Sequence, residues 1–252
     1  MGDGMTELSV VVATLKDESE IECLEGFDDE DWDRIELIVR DDEGICAARN
    51  AGVRESTADR IVFLDDDAVP GDGYVDRAIE LLDEYAVVAG RVVDTGHHWI
   101  GKTIQHYDQG DRPRETDGIV GCNMGFRREV FDTVGLFDEH IEWGHDEREF
   151  ADRFRTRYDI HYDPQLYVMH PYASDLREYL RKLYRLGVAD VYYWKKHDEP
   201  IGWNALTWSI SPRNYVDRSA KGTAMKGPAG VARTLGRTVG YLRYRSGRRV
   251  FG

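Results

Sequence analysis

Four short apolar runs, each closed by turn-forming residues, constrain this chain more than any other feature. Leu8 to Thr14 (LSVVVAT) is a continuous β-branched run, and Arg34–Val39, Arg60–Leu64 and Ala86–Val93 read as further strands. The first of these, without alternation, bears the mark of a strand buried on both faces. Between them, Gly44–Thr57 and Asp72–Glu84 have the length and period of helices. Strands and helices taking turns in this way predict an α/β fold with a mostly parallel central sheet flanked by helices. Further on, Ile119–Phe126 reads as a strand, Arg128–Val134 and Asp146–Arg157 as helices, and residues 173–197 as the longest helix. Residues 94–118 show no regular period, and a stretch of that length is usually a functional loop or lid.

Charge narrows the classes of function. Lys and Arg total 33 against 48 for Asp and Glu, a net charge of −15, which excludes a general nucleic-acid binder with its basic face. No apolar run approaches the roughly 20 residues that cross a bilayer, and no charged-then-apolar leader opens the chain, so a polytopic or secreted protein is not expected. Cys23, Cys46 and Cys122 are widely spaced, form no metal-binding pattern and read as buried thiols in a reducing compartment. Asp outnumbers Glu 29 to 19 and Arg outnumbers Lys 26 to 7, a balance suited to a cytoplasm of high salt.

The charge is also polarised along the chain. Residues 213–252 hold ten Lys or Arg against Asp217 alone, a net of +9 within an otherwise acidic protein. Val231, Leu235, Val239 and Leu242 fall near one helical face there, with Arg233, Arg237, Arg243, Arg245, Arg248 and Arg249 between them. A basic amphipathic segment of this kind suits an anionic membrane surface. Gly230, Gly236, Gly240 and Gly247 argue against a regular helix, leaving a flexible tail as the other reading.

The chemistry concentrates at Phe63-Leu64-Asp65-Asp66-Asp67-Ala68-Val69-Pro70. Three carboxylates directly follow a buried strand, and ligands of open α/β sheets bind beyond strand C-termini. Adjacent carboxylates repel and need a counter-charge, which a divalent cation with oxygen ligands supplies. Upstream stands Gly44-Ile45-Cys46-Ala47-Ala48-Arg49-Asn50-Ala51-Gly52, and Thr14 closes the first strand. Downstream come Gly121-Cys122-Asn123-Met124-Gly125-Phe126, Val134-Gly135-Leu136-Phe137-Asp138, and Gly144-His145-Asp146-Glu147-Arg148-Glu149-Phe150.

In this order, over roughly residues 7–172, these motifs resemble the inverting family 2 glycosyltransferases of the GT-A (Rossmann-like) fold. The resemblance implies a GT-A domain over residues 1–172, with residues 173–212 as a C-terminal helix and 213–252 as the basic tail. It implies transfer of one sugar from a nucleoside-diphosphate sugar, UDP being the family's commonest carrier, with Mn²⁺ or Mg²⁺ as cofactor. Thr14 and an acid after the second strand, Asp41 or Asp42, would line the nucleotide pocket with Arg49. Asp65 and Asp66 would hold the ribose and the metal's water shell, Asp67 would bind the metal, and His170 would complete the metal or diphosphate site. Asp146 matches the family's general base, and the dipole of the helix it opens would keep it ionised. Trp143, Gly144 and His145 would shape the acceptor side, although Trp143 reads equally well as a core residue. His97 and His98 read as solvent-facing loop residues.

The chain departs from the family in three places. The stretch between the second strand and Arg49 is short, His145 replaces the Glu that usually precedes the base, and no Gln-x-x-Arg-Trp segment appears. The last departure favours one sugar per encounter over processive synthesis. Together with the basic tail, it points to a lipid-linked or glycan acceptor, such as a polyprenyl or dolichol phosphate-linked glycan. The enzyme would then be cytoplasmic and peripheral on the inner membrane face. The competing readings are a nucleotidyltransferase, disfavoured by the plain loop Thr14–Ser19, and an inactive membrane scaffold.

Overall fold

The computed structural model describes residues 6–96, 100, 107–210 and 220–251, so the expectation for His97 and His98 lies outside the described residues. The chain divides into two compact units: one of residues 1–94, 106–139 and 146–171, the other of residues 95–105, 140–145 and 172–252.

In the first unit the apolar runs form β1 (Leu8–Ala13), β2 (Ile35–Arg40) and β3 (Arg60–Leu64), with α1 (Ile45–Glu55) between the last two. The chain continues through β4 (Val69–Pro70), α2 (Tyr74–Glu84), β5 (Val87–Asp94), β6 (Arg114–Thr116) and β7 (Asn123–Arg127). It ends with α3 (Arg128–Val134), α4 (Asp146–Phe154) and β8 (Ile160–His170). The sheet order is β2-β1-β3-β7-β5-β8-β4, with β6 paired to β8. β1 runs parallel to both β2 and β3, and β5 runs parallel to β8. β7 is antiparallel to β3 and β5, which makes the expected α/β sheet a mixed one.

Register explains where the functional side chains meet. β3 ends at Leu64 opposite Asn123, the first residue of antiparallel β7, so Asp65 and Cys122 leave the sheet at the same edge. Val69 pairs with Met169 across β4 and β8, which places His170 level with the end of the Asp triplet. A register shift between Gly90 and Arg91 interrupts the β5–β8 ladder. Buried Asn123 fills it, donating to the Arg91 and Leu166 carbonyls at 3.0 Å each and accepting from Tyr74 Oη at 2.9 Å. Three partners satisfy a buried amide that would otherwise cost free energy. Beneath this edge Phe63, Phe126, Phe131, Phe137 and Phe150 pack ring on ring, with Phe137 and Phe150 centroids 4.5 Å apart.

The second unit is helical: α5 (Leu176–Lys196), α6 (Trp203–Thr207) and α7 (Ala220–Arg245). At 26 residues α7 is the longest helix among the described residues, exceeding the 21 of α5, which was expected to be longest. Its glycines do not break it; they admit α5. A Cβ on Gly187 would lie 2.1 Å from the Arg233 carbonyl, and one on Gly236 would lie 1.9 Å from the Tyr184 carbonyl. Only bare Cα positions allow so close a crossing. Ile100, Ala173, Tyr179, Leu183, Met225 and Ala229 form this unit's core.

Candidate active site

Thr14 follows β1, and its Oγ1 donates to Asp66, which Lys16 Nζ also reaches at 2.8 Å. Asp66 therefore turns toward the end of β1, away from its neighbours. After β2, Asp42 is held by Arg40 Nε at 2.8 Å, while Asp41 is exposed. Of the two candidate acids, Asp41 is the one whose carboxylate is not engaged by Arg40.

Arg49 lies on α1, 4% exposed, and connects the two halves of the site. Its Nη1 donates to the Asp146 carboxylate, and its Nη2 donates to the Gly121 carbonyl at 3.0 Å and stands 3.5 Å from Asp65 Oδ1. Gly121 is needed for this approach, since a Cβ there would come within 2.8 Å of Arg49 Nη2. Burial opposes the guanidinium's charge, but Asp146 and Asp65 more than restore it, raising its pKa. Burying one member of such an arrangement without the other would be costly. Asn50, next on the helix, donates to the Phe137 carbonyl at 2.9 Å and accepts from the Phe137 amide at 2.9 Å. The A-R-N-x-G segment thus binds Asp146 with one residue and the loop after α3 with the next.

At the sheet edge, His170 is 5% exposed, with Nε2 3.1 Å from Asp67 Oδ1 and 3.8 Å from Asp65 Oδ2. Its Nδ1 lies 2.8 Å from Tyr107 Oη, so the ring is oriented from its far side. Such an outer partner commonly fixes a ligating imidazole. Burial alone would lower the His170 pKa, but Cys122, Asp67 and Asp65 push it up to about 11. Asp65, Cys122 and His170 each offer a ligand atom within 4.8 Å of the others. Two carboxylates and an imidazole are donors suited to Mn²⁺ or Mg²⁺. Burial raises the Cys122 thiol pKa, while His170 beside it acts in the opposite direction. The residues present fit a divalent cation.

Asp146 is the first residue of α4 and is 5% exposed. Beside it, Glu147 has a raised pKa because burial and the adjacent Asp146 carboxylate both disfavour a second charge. Glu149 is spoken for by Arg153 Nε at 2.9 Å. In the second unit, Gly144 and His145 both adopt left-handed backbone, at φ 77° and 62°. His145 Nε2 lies 2.8 Å from Asp190 Oδ1 on α5, and Arg185 stacks 4.4 Å over the Trp143 ring.

Cys122, Tyr107, Lys16, Asn50, Glu147 and Asp190 were not singled out from the sequence. Asn50, Cys122 and Glu147 sit inside motifs and carry a positional signal; Tyr107, Lys16 and Asp190 reach their partners only through the fold.

Comparison with known proteins identifies the family and the fold. Residues 10–135 match the family model described as glycosyl transferase family 2. The chain is 25% identical over 171 residues to glycosyltransferase AglE of Haloferax volcanii, covering 65% of this chain and 56% of that protein. It is 28% identical over 127 residues to dTDP-rhamnosyl transferase RfbF of Shigella flexneri, covering 44% of this chain and 43% of the relative. The chain therefore spans about half the length of these relatives. Among solved structures, GalNAc-T7 with UDP, GalNAc and Mn²⁺ superposes with a TM-score of 0.51 at 12% identity, over 81% of this chain and 53% of the other. That likeness shows a shared GT-A-like fold.

Proposed function

The chain belongs to glycosyl transferase family 2, and on that premise we propose that it moves one sugar from a nucleoside-diphosphate sugar to an acceptor hydroxyl, with inversion. The observation that carries this reading is Arg49, which ties Asp65 of the acidic triplet to Asp146 at the head of α4 and makes them one site. Thr14, Asp41, Arg49, Asp65 and Asp66 hold the nucleotide sugar, probing its base, ribose and diphosphate. Asp65, Asp67 and His170 hold Mn²⁺ or Mg²⁺, an assignment supported by the donor set and by the Mn²⁺ named with the GalNAc-T7 structure. When bound, that cation would offset negative charge gathering on the departing diphosphate.

Asp146 accepts the proton of the acceptor hydroxyl as its oxygen forms the bond to the anomeric carbon. The bond from that carbon to the diphosphate oxygen breaks on the opposite face, and the electron pair leaves with the nucleoside diphosphate. Arg49 keeps the Asp146 carboxylate aimed, so little reorganisation is needed during reaction. Trp143, Gly144 and His145 belong to the acceptor side.

The acceptor is a glycan or a lipid-linked glycan of the dolichol phosphate type, and the enzyme works peripherally on the inner membrane face. Among the described residues no helix is long and apolar enough to cross a membrane. α7 instead presents Val231, Leu235 and Leu242 at 49%, 55% and 62% exposure, with Arg245, Arg248 and Arg249 exposed beyond them. Apolar side chains followed by cations suit the interface of an anionic bilayer. The acidic balance of the remaining chain, and the relative in Haloferax volcanii, support a high-salt cytoplasm.

The test is thermal protection by a panel of nucleotide sugars in high salt, with and without Mn²⁺. One donor should raise the melting temperature only when Mn²⁺ is present, and Asp67→Asn should abolish the rise. Protection by no nucleotide sugar, or protection indifferent to both metal and Asp67, overturns the reading.

A further inference from the structure

Asp190 on α5 is buried at 4% exposure and accepts from His145 Nε2 at 2.8 Å, from Arg233 Nε and Nη2 at 2.9 and 2.7 Å, and from Arg237 Nε at 2.6 Å. One carboxylate therefore answers two guanidiniums. Arg237 is itself only 5% exposed, and its Nη1 donates to the Ala205 carbonyl at 3.1 Å. Nη1 of Arg233 and Nη2 of Arg237 have no hydrogen-bond partner within the described residues. The Arg233 side chain is 30% exposed, so these leftover donors are accessible and can answer a further anion.

A cavity of ≈ 350 Å³ opens on these donors. Arg233, Arg237 and Lys226 supply its charge, Tyr179, Leu183 and Trp208 its apolar wall, and among the described residues no acid lines it. Its volume falls in the range of small-ligand sites, about 300–1,000 Å³. Trp208 is shared with an adjoining cavity of ≈ 470 Å³ lined also by Trp203 and Ile210. Those three side chains are 56%, 77% and 38% exposed, far more than such residues usually are in a soluble protein. A polar, cationic end thus leads into an aromatic, apolar one.

We propose that this cavity seats the phosphate of an amphiphile. The phosphate rests on Arg233 and Arg237, whose planar forks match its oxygens, and the hydrocarbon chain runs along Trp208 toward Trp203. The inference deepens the proposed function by naming residues that hold a lipid phosphate. It rests on that reading only for the ligand's role, because binding is measured without donor sugar or turnover.

The test is calorimetric titration of the full chain with farnesyl phosphate, farnesol and inorganic phosphate. Farnesyl phosphate should bind at least tenfold more tightly than either of the others. Arg233→Gln and Trp208→Ala should each weaken it at least tenfold. Should Arg233→Gln fail to melt cooperatively, Trp208→Ala decides, since that ring is half exposed and its loss leaves the fold intact. Absence of farnesyl phosphate binding, or affinity unchanged in a folded variant, overturns the proposal. So does equal binding of farnesol, which would mark a merely apolar patch, or of inorganic phosphate, which would mark a simple anion site.

Discussion

Arg49 Nη1 donates to the carboxylate of Asp146 across 97 positions of sequence, joining α1 to the head of α4. Both side chains are nearly inaccessible, so neither can exchange its partner for water. The same guanidinium faces Asp65, so the acid that opens the triplet and the acid that opens α4 share one counter-charge.

Asp146→Asn keeps the shape and the Arg49 contact but removes the proton acceptor. Turnover should fall by about 10²–10⁴-fold, the usual worth of a general base, with donor affinity nearly unchanged. Turnover measured beside donor binding checks this, and near-normal turnover would show that another group takes the proton.

Glu147 has a folded pKa of about 8 against an ordinary 4.5. Between those values the folded state holds a proton that the unfolded chain has lost, so this residue makes stability decline as pH rises through that window. Glu147→Gln should flatten the decline and melt higher than the parent at pH above about 8. Melting temperatures across pH test it; parallel curves for the two proteins would refute it.

Asp190 is held well below the usual carboxylate range: burial works against it, but Arg233 and His145 overcome that. Asp190→Asn leaves Arg233 and Arg237 facing each other, and should cost about 3–5 kcal/mol in denaturant unfolding near neutral pH. Because the native pKa is depressed, the stabilisation is complete above an unfolded value near 3.8 and fades as pH falls below it. The gap between variant and parent should therefore narrow in acid.

Leu235 and Leu242 are 55% and 62% exposed on α7. Each buried leucine contributes about 1.5–3 kcal/mol, so Leu235→Asp with Leu242→Asp should weaken binding to phosphatidylglycerol vesicles at least tenfold. Vesicle flotation at low and molar salt measures it. A residual loss in molar salt, where charge is screened, would assign the effect to apolar burial. Equal flotation of parent and variant at both salt concentrations would remove α7 from any membrane contact.

The strands and the first helices were legible because burial on both faces leaves an unbroken apolar run, as in Leu8–Ala13 and Arg60–Leu64. The acidic triplet was legible because a strand end predicts where ligands gather. Tyr107 and Cys122 were not, since only the β3–β7 register and the loop after β5 bring them beside Asp65 and His170. The helix over Ala220–Arg245 was obscured by its glycines. Local propensity counts them as a cost, whereas packing against α5 turns the missing side chains into contact.

Gly187 and Gly236 make the last forty residues something other than a dispensable appendage. Cutting the chain before α7 would strip Asp190 of both arginines at once and leave α5 with a bare groove along its length. A version shortened to end between α5 and α7 should be hard to obtain in folded form, so any variant that keeps α5 will have to carry the basic terminus with it.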